Sequence, residues 1–186
     1  MQIKFCIGLG NIGAEFENSP HNLGYMMLDM ITQGKPCKAK TQTIWVRDKL
    51  ILSKPLTYMN RSGNAVRELL DRSGMNKLDF VRSLMVLHDD INLNMHKISY
   101  KDGAVNPGSG GHNGLRSIVD ALCMAGLTKE QAASFHRVRI GCKPESDVVV
   151  RDYVTRPMQA DLLAEWRLVL ENWRDELLDL LSATTV

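Results

Sequence analysis

The chain has 186 residues, of which 44% are hydrophobic and 24% are charged, and its formal net charge at pH 7 is +2. This length and composition predict one globular domain over residues 1–186 and exclude a disordered, collagen-like or repeat protein. A net charge so close to zero does not indicate a nucleic acid partner, which would need a local basic surface.

The longest apolar runs are only as long as a strand, as at residues 83–87. A membrane helix needs roughly 20 apolar residues. The four cysteines are far apart, contain no CxxC pair and follow no signal peptide. We therefore expect a cytoplasmic protein without membrane association, whose thiols are reduced and mostly buried.

The first half of the chain predicts a strand, a helix and a hairpin. Residues 3–9 are almost continuously apolar, which is typical of a strand buried on both faces. After a polar loop, apolar residues from Asn22 follow helical spacing up to Gly34, a plausible helix stop. Residues 44–46 and 50–52 flank three charged residues and suggest a β-hairpin.

The next elements are a helix and a second buried strand. Ser62 stands where it can cap a helix with an apolar stripe, and Gly74 follows the last turn of that helix. Residues 84–87 are a short apolar run, followed directly by the polar residues 88–90. This pattern predicts a strand that ends in side chains able to take part in catalysis or binding.

The last third of the chain predicts two further helices around one strand. Apolar residues repeat at helical spacing over residues 115–122, and residues 138–141 are typical of a strand. Pro157 opens a last helix, whose apolar stripe from Leu162 to Leu177 is best explained by core packing. Strands that alternate with helices predict an α/β fold, a single three-layer domain with a mainly parallel, mixed twisted sheet flanked by helices on both faces.

Polar residues follow the ends of the predicted strands and of the glycine-rich segment. In open α/β sheets, the crevice beyond the carboxyl ends of the strands is the usual ligand site. The sequence therefore predicts a cleft lined by Asn11, Met59, Asn60, His88, Asp89, His112 and Asn113.

The turn GLGNIG at residues 8–13 fits the dinucleotide-binding pattern GxGxxG and follows a predicted strand. In that fold the third glycine leads into a helix, and an acidic residue follows about 20 positions later. Here a polar loop follows instead, and the corresponding position falls near Asp29, inside the predicted helix. A dinucleotide-dependent oxidoreductase is therefore an alternative, which a cofactor-binding assay tests.

The segment GSGGHNG at residues 108–114 lacks the Lys-Ser/Thr ending of a phosphate-binding P-loop. Ser109 does not lie in a GxSxG elbow, so a nucleophilic serine is not supported. The glycines either offer backbone amides at the start of the next helix, suited to phosphate or to an oxyanion, or form only a tight turn.

His21 has no partner close in sequence, but an aspartate at a strand end can supply one. A carboxylate such as that of Asp89 can hold an imidazole in one tautomer and stabilise its protonated form, as a general base requires. His88, His112 and two nearby aspartates also allow a metal site. Because no paired ligand spacing such as HExxH occurs, we expect neither a metal nor another cofactor.

Four blocks of the sequence occur in one order and at consistent separations. They are GLGNIGAEFENSPHNLGY at residues 8–25, KPLTYMNRSGNAV at 54–66, HDDINL at 88–93, and GSGGHNGLRSI with FHRVRIG at 108–118 and 135–141. As a set they resemble the bacterial-type peptidyl-tRNA hydrolases, and the resemblance runs from the first strand to the last helix.

The resemblance implies hydrolysis of the ester that joins a peptide to the terminal ribose of tRNA, by a metal-independent monomer that rescues tRNA for translation. It implies that His21 is the catalytic base and that Asp89 is its partner. Peptide and tRNA 3′ end would contact Asn11, Phe16, Met59, Asn60, His112 and Asn113. It also implies that Arg139 binds a tRNA phosphate, since its planar fork donates two hydrogen bonds. Further basic residues available for a rim are Lys101, Arg116, Arg137 and Lys143.

Several positions depart from the usual pattern of the family. Ile12 stands in place of a common proline, Pro20 in place of an arginine, and Asn92 and Asn94 in place of Asp and Pro. Residues 101–107 also differ from the usual loop. Another alternative is a protein that keeps the fold and only binds RNA or protein, against which the intact histidine, aspartate and asparagines argue.

Overall fold

The computed structural model describes residues 2–32, 35–103 and 111–182. The predictions for Gly34, and for Ser109 with the glycines beside it, concern residues outside these ranges. The strands are β1 Phe5–Gly8, β2 Cys37–Lys38, β3 Gln42–Arg47, β4 Leu50–Pro55, β5 Leu84–Asp90, β6 Ile98–Lys101 and β7 His136–Gly141. The helices are α1 Leu23–Asp29, α2 Ser62–Ser73, α3 Lys77–Arg82, α4 Asn113–Met124, α5 Lys129–Ala132, α6 Val150–Thr155, α7 Ala160–Asn172 and α8 Arg174–Ser182.

The seven strands form one mixed sheet in the order β2-β3-β4-β1-β5-β7-β6. The four central strands, β4, β1, β5 and β7, are parallel to their neighbours among these four. The outer strands β2 and β3 on one side and β6 on the other pair in antiparallel fashion. The predicted α/β class is confirmed, with the parallel pairing confined to the centre of the sheet.

Helices cover both faces of this sheet and bury one apolar cluster on each. On one face α2, α3, α4 and α5 contribute side chains such as Leu69, Phe80 and Ile118. On the other face α1, α7 and α8 contribute Met27 and Trp166, among others. The predicted role of the last apolar stripe in core packing is confirmed, since Trp166, Leu170 and Leu177 are fully buried.

Two glycines allow α1 to lie directly on the sheet. A Cβ atom at Gly8 would stand 2.4 Å from the carbonyl oxygen of Gly24, and one at Gly24 would stand 2.4 Å from that of Leu87. Because neither distance is compatible with a side chain, both positions need glycine. This close approach brings the turn that precedes α1 over the carboxyl ends of β1 and β5.

Two predictions about helix ends are wrong. Arg61 occupies the cap position of α2, and the Ser62 hydroxyl donates to the carbonyl oxygen of Met59 at 2.9 Å rather than capping the helix. The predicted last helix is two helices: α7 begins at Ala160 rather than at Pro157 and ends at Asn172, and α8 begins at Arg174. The prediction that Gly74 follows α2 is confirmed, and its φ of 63° is a left-handed conformation that favours glycine.

None of the helices that the structure describes is long and apolar enough to cross a membrane. All four cysteines are free, as predicted, but only Cys6 and Cys142 are buried, whereas Cys37 is exposed and Cys123 is half-buried.

Candidate active site

A cleft with a volume of about 660 Å³ opens beyond the carboxyl ends of the central strands. Its walls come from the loop after β1, the turn before α2, the end of β5, the start of α4 and one side of α6. The lining residues are Asn11, Phe16, His21, Tyr58, Met59, Asn60, His88, Asp89, Asp90, Ile91, Asn92, Gly111, His112, Asn113, Val150, Arg151, Val154 and Thr155. The cleft lies where the strand topology leads us to expect a ligand.

His21 and Asp89 form a hydrogen-bonded pair in this cleft. His21 lies on a 3₁₀ turn, Pro20–Asn22, directly before α1, and Asp89 is near the end of β5. The Nδ1 atom of His21 is 2.9 Å from each carboxylate oxygen of Asp89, whose side chain is 1% exposed. Since a carboxylate only accepts, Nδ1 carries the proton, and Nε2 keeps a lone pair.

A second histidine, His112 at the start of α4, contacts the same carboxylate. His112 Nε2 is 2.9 Å from Asp89 Oδ1. Its Nδ1 atom accepts the backbone N–H groups of Gly114 at 3.1 Å and Leu115 at 3.3 Å, which makes His112 the N-cap of α4. An Nδ1 atom that accepts carries no proton, so Nε2 holds the ring proton and donates it to Asp89.

The pKa of Asp89 reflects two opposing effects. Complete burial raises the pKa of this carboxyl group, but the charges and hydrogen bonds of His112 and His21 lower it by more. Its pKa therefore lies well below the ordinary value of 3.8, and the carboxylate is ionised at neutral pH.

His88 is the third histidine of the site and has a different environment. It is 2% exposed, and its Nδ1 atom donates to the backbone carbonyl of Asp89 at 2.7 Å. Its Nε2 atom is buried without a hydrogen-bond partner among the described residues. Burial, followed by repulsion from His112, lowers the pKa of His88 to about 3, so this ring is neutral at physiological pH.

Asn11 is held by its neighbours so that its amide group has a defined orientation. Its Oδ1 atom accepts the backbone N–H of Met59 at 2.7 Å, and its own backbone N–H donates to Asn22 Oδ1 at 2.7 Å. The Asn22 Nδ2 group returns a hydrogen bond to the Asn11 carbonyl at 3.1 Å. With Oδ1 engaged, the Nδ2 group of Asn11 is the end that can donate to a ligand.

The other predicted contacts lie around the same cleft. Asn60 and Asn113 are exposed at its rim, and the Oδ1 atom of Asn113 accepts a hydrogen bond from Arg116. Met59 is buried beneath them, and Phe16 packs edge-to-face against Tyr58 at a centroid distance of 6.3 Å. The structure thus brings together all eight residues that the sequence suggested for catalysis and substrate binding.

Arg139, the suggested phosphate contact, does not line the cleft. It lies on β7 opposite His88, and its Nε atom donates to Asp90 Oδ2 at 2.7 Å. Burial raises the pKa of Asp90, but the hydrogen bond from Arg139 and a backbone N–H from Asn92 lower it by more. Arg139 is therefore part of an ion pair beside the cleft, which engages its Nε atom.

Carboxylate and imidazole atoms of His21, Asp89 and His112 lie within 4.8 Å of one another, a spacing that a metal ion can bridge. However, a neutral histidine that binds a metal through Nε2 must carry its proton on Nδ1. In His112 that Nδ1 atom accepts two backbone N–H groups, so a metal would require the α4 cap to break. The donor set fits a hydrogen-bonded charge cluster better than a metal site.

Two other interpretations of the glycine segments do not match the structure. After Gly13 the chain forms a 3₁₀ turn, Ala14–Phe16, rather than the helix of a dinucleotide site, and Asp29 pairs with Lys54 at 2.7 Å. At the start of α4, the backbone amides of Gly114 and Leu115 donate to His112 Nδ1. In this arrangement these two amides are not free to bind phosphate or an oxyanion.

Sequence reasoning missed the wall of the cleft formed by α6 and the aromatic Tyr58. The helix α6 has only six residues, and its apolar lead-in resembles a strand, so periodicity gave no signal. Tyr58 lies within the block KPLTYMNRSGNAV, where its position directly before Met59 was the available signal.

Comparison with known proteins gives a consistent result. The chain matches the family described as "Peptidyl-tRNA hydrolase" over residues 5–185. A peptidyl-tRNA hydrolase from Campylobacter jejuni subsp. doylei is 35% identical over 182 residues, which cover 95% of this chain and 90% of that protein. One from Mycoplasma mycoides subsp. mycoides is 33% identical over 196 residues, with 99% of this chain and 88% of that protein covered.

Solved structures show the same fold. The crystal structure of peptidyl-tRNA hydrolase from Acinetobacter baumannii superposes with a TM-score of 0.66 at 24% identity, covering 97% of this chain and 95% of that one. A complex of peptidyl-tRNA hydrolase with N-propanol gives a TM-score of 0.67, with the same identity and coverage.

Proposed function

The chain belongs to the peptidyl-tRNA hydrolase family, and from this premise we propose how it hydrolyses the ester bond between a peptide and tRNA. His21 acts as the general base and Asp89 as the residue that orients it. The observation that carries this assignment is the contact of His21 Nδ1 with both carboxylate oxygens of Asp89 at 2.9 Å. This contact leaves Nε2 available to accept a proton from water.

In the first step His21 Nε2 removes a proton from a water molecule, whose oxygen attacks the carbonyl carbon of the ester. The protonated imidazole is stabilised by the ionised Asp89. In the second step the tetrahedral intermediate breaks the bond to the ribose oxygen, which takes the proton from His21. The products are the free peptide, with a carboxyl group, and tRNA with a free terminal hydroxyl group.

The oxyanion of the intermediate needs hydrogen-bond donors, which the side-chain amides of Asn11, Asn60 and Asn113 supply in this proposal. The engaged Oδ1 atoms of Asn11 and Asn113 support it, because each leaves an Nδ2 group as the free end. Phe16, Met59 and His112 complete the substrate-binding wall. His112 also holds Asp89 in place through its hydrogen bond.

We propose that the reaction needs no metal ion, because His112 Nδ1 is committed to the α4 cap. We also propose that the protein is a single-domain monomer that acts in the cytoplasm, where its substrate arises during translation. The single sheet that joins strands from residue 5 to residue 141 supports one domain. Light scattering of the purified protein tests the oligomeric state.

The test is release of the peptide from an N-blocked aminoacyl-tRNA in the presence of a chelator. We expect wild-type turnover to be unchanged by the chelator, and His21→Ala to lose at least about a hundredfold in turnover, the usual scale for a general base. His96→Asn is a matched control, because His96 lies outside the cleft lining and has a φ of 64° that asparagine tolerates. Near-normal turnover in folded His21→Ala contradicts the assignment, and activity lost in chelator but restored by a divalent ion contradicts the metal-free mechanism.

A further inference from the structure

Arg151 is a cationic residue of the cleft that has no role in the proposed catalytic mechanism and is not the suggested phosphate contact. It is exposed and lies on α6, among the lining residues. Among the described residues that line the cleft, it is the only lysine or arginine. Its side chain makes no hydrogen bond or ion pair within the part of the chain that the structure describes.

The position of Arg151 is fixed by the residues around it on α6. Val154 is 3% exposed and anchors the helix, and the Tyr153 hydroxyl donates to the Cys142 carbonyl at 2.9 Å. The helix also packs against the Pro20–Asn22 turn that carries His21. A short helix tied at two points in this way presents Arg151 at the edge of the catalytic cleft.

Two arginines beside the cleft already have partners, in contrast to Arg151. Arg139 donates to Asp90, and Arg116 donates to Asn113. The cleft itself contains the ionised carboxylates of Asp89 and Asp90, which repel an anionic substrate. A substrate that carries negative charge therefore gains from Arg151, the cation of the described cleft lining.

We propose that Arg151 is a substrate-binding residue that pairs with an oxyanion of the peptidyl-tRNA. This proposal rests on the proposed function. A guanidinium group donates two hydrogen bonds to a phosphate or to a carboxylate in the same geometry. The substrate offers such an oxyanion in two places, the phosphodiesters near the 3′ end of the tRNA and an acidic side chain of the peptide.

Three substrates distinguish these two sources: N-acetylphenylalanyl-tRNA, N-acetylglutamyl-tRNA, and the N-acetylphenylalanyl ester of adenosine, which has no phosphate. For Arg151→Gln we expect KM to rise roughly fivefold, the scale of one solvent-exposed ion pair, with kcat little changed. A rise for both tRNAs but not for the adenosine ester identifies the phosphodiester. A rise for the glutamyl substrate alone identifies the peptide carboxylate.

Two further variants complete the experiment. Arg151→Lys should keep most of the affinity, since it keeps the charge. Arg156→Gln is the matched control, because Arg156 is exposed just after α6 and does not line the cleft. Equal behaviour of Arg151→Gln and Arg156→Gln, or a KM change as large for the adenosine ester as for the tRNAs, overturns the inference. The proposed function fails separately, only if the wild type releases no peptide.

Discussion

Asp89 accepts hydrogen bonds from two histidines that are not equivalent. His112 Nδ1 accepts backbone N–H groups, so protonation of this ring at Nδ1 would break the cap of α4. His21 has no such second contact, since its hydrogen bonds to the described residues all run from Nδ1 to Asp89. The pattern of hydrogen bonds therefore supports His21, and not His112, as the ring that gains and loses a proton.

The role of Asp89 is tested by Asp89→Asn. An amide has nearly the same shape but no charge to stabilise the protonated imidazole, so kcat should fall at least about a hundredfold while KM changes little. Steady-state kinetics with an N-blocked aminoacyl-tRNA measures both, and circular dichroism checks that the variant is folded. A loss confined to KM would identify Asp89 as a substrate ligand instead.

His88 predicts how stability depends on pH. Its folded pKa, about 3, lies below its ordinary value of 6.5, so the unfolded chain binds a proton that the folded chain does not. The stability from this group is therefore complete above pH 6.5 and is lost as the pH falls toward 3. Between pH 6 and pH 5, wild type should lose about 1 kcal/mol of unfolding free energy from His88 alone.

The variant His88→Asn should remove this pH dependence. Asparagine has no titrating group, and its amide can still donate to the carbonyl of Asp89. Urea unfolding of wild type and variant at pH 7, 6 and 5 measures the difference. If the unfolding free energies of wild type and variant changed equally with pH over this range, His88 would not titrate with a lowered pKa.

At the scale of the element, helix α4 depends on His112 for its N-cap. His112→Ala should lower the free energy of unfolding by about 1 kcal/mol, the usual effect of losing a cap. It should also reduce turnover, because Asp89 loses one donor. His112→Asn is the matched variant: asparagine caps well but is too short to replace the contact with Asp89. Compared with His112→Ala, we expect His112→Asn to recover stability in thermal unfolding but not kcat. If it recovered both, His112 would not act by positioning Asp89.

Most of the elements that the sequence predicted have a clear apolar pattern. Strands β1 and β5 are buried along almost their whole length, and α4 has a regular apolar stripe. The strand β6 was not predicted, because it is an edge strand whose residues are half-buried or exposed. The helices α3, α5 and α6 have only four to six residues, too few for helical periodicity to appear.

Parts of the site could not be predicted for a different reason. The resemblance suggested His21 and Asp89 as partners, although 68 residues separate them. The cap that His112 forms and the ion pair of Arg139 with Asp90 depend on distances between elements, which no local pattern encodes. Ser62 is a further case, because its hydroxyl donates to the carbonyl oxygen of Met59 and does not cap α2. The sequence alone does not reveal this hydrogen bond.

At the scale of the whole molecule, the parallel centre of the sheet explains why remote residues meet. The strands β1 and β5 end at the same edge, where Asn11 comes after β1 and Asp89 lies near the end of β5, and both line the cleft. The strand β7 ends there as well, and Arg139 reaches Asp90 across the β5–β7 pairing. With a net charge of only +2, recognition of tRNA must come from such local groups.

The last prediction concerns the proposed phosphate contact of Arg139. Only its Nε atom is engaged by Asp90, so the terminal nitrogens can donate to a phosphate beside the cleft. Arg139→Ala should then weaken tRNA-linked substrates roughly tenfold and flatten the salt dependence of binding by about one phosphate contact, since fewer counterions are released. A minimal ester that lacks the tRNA body should be hardly affected.

The same substitution also leaves Asp90 without its partner, and a double variant separates the two effects. Asp90→Asn with Arg139→Ala removes the unpaired carboxylate, so it should recover stability in thermal unfolding but not affinity for tRNA. If Arg139 serves only to neutralise Asp90, the double variant recovers both. The slopes of log KM against log salt for wild type, Arg139→Ala and the double variant decide between these roles, because a lost phosphate contact lowers the slope in both variants and a lost ion pair does not.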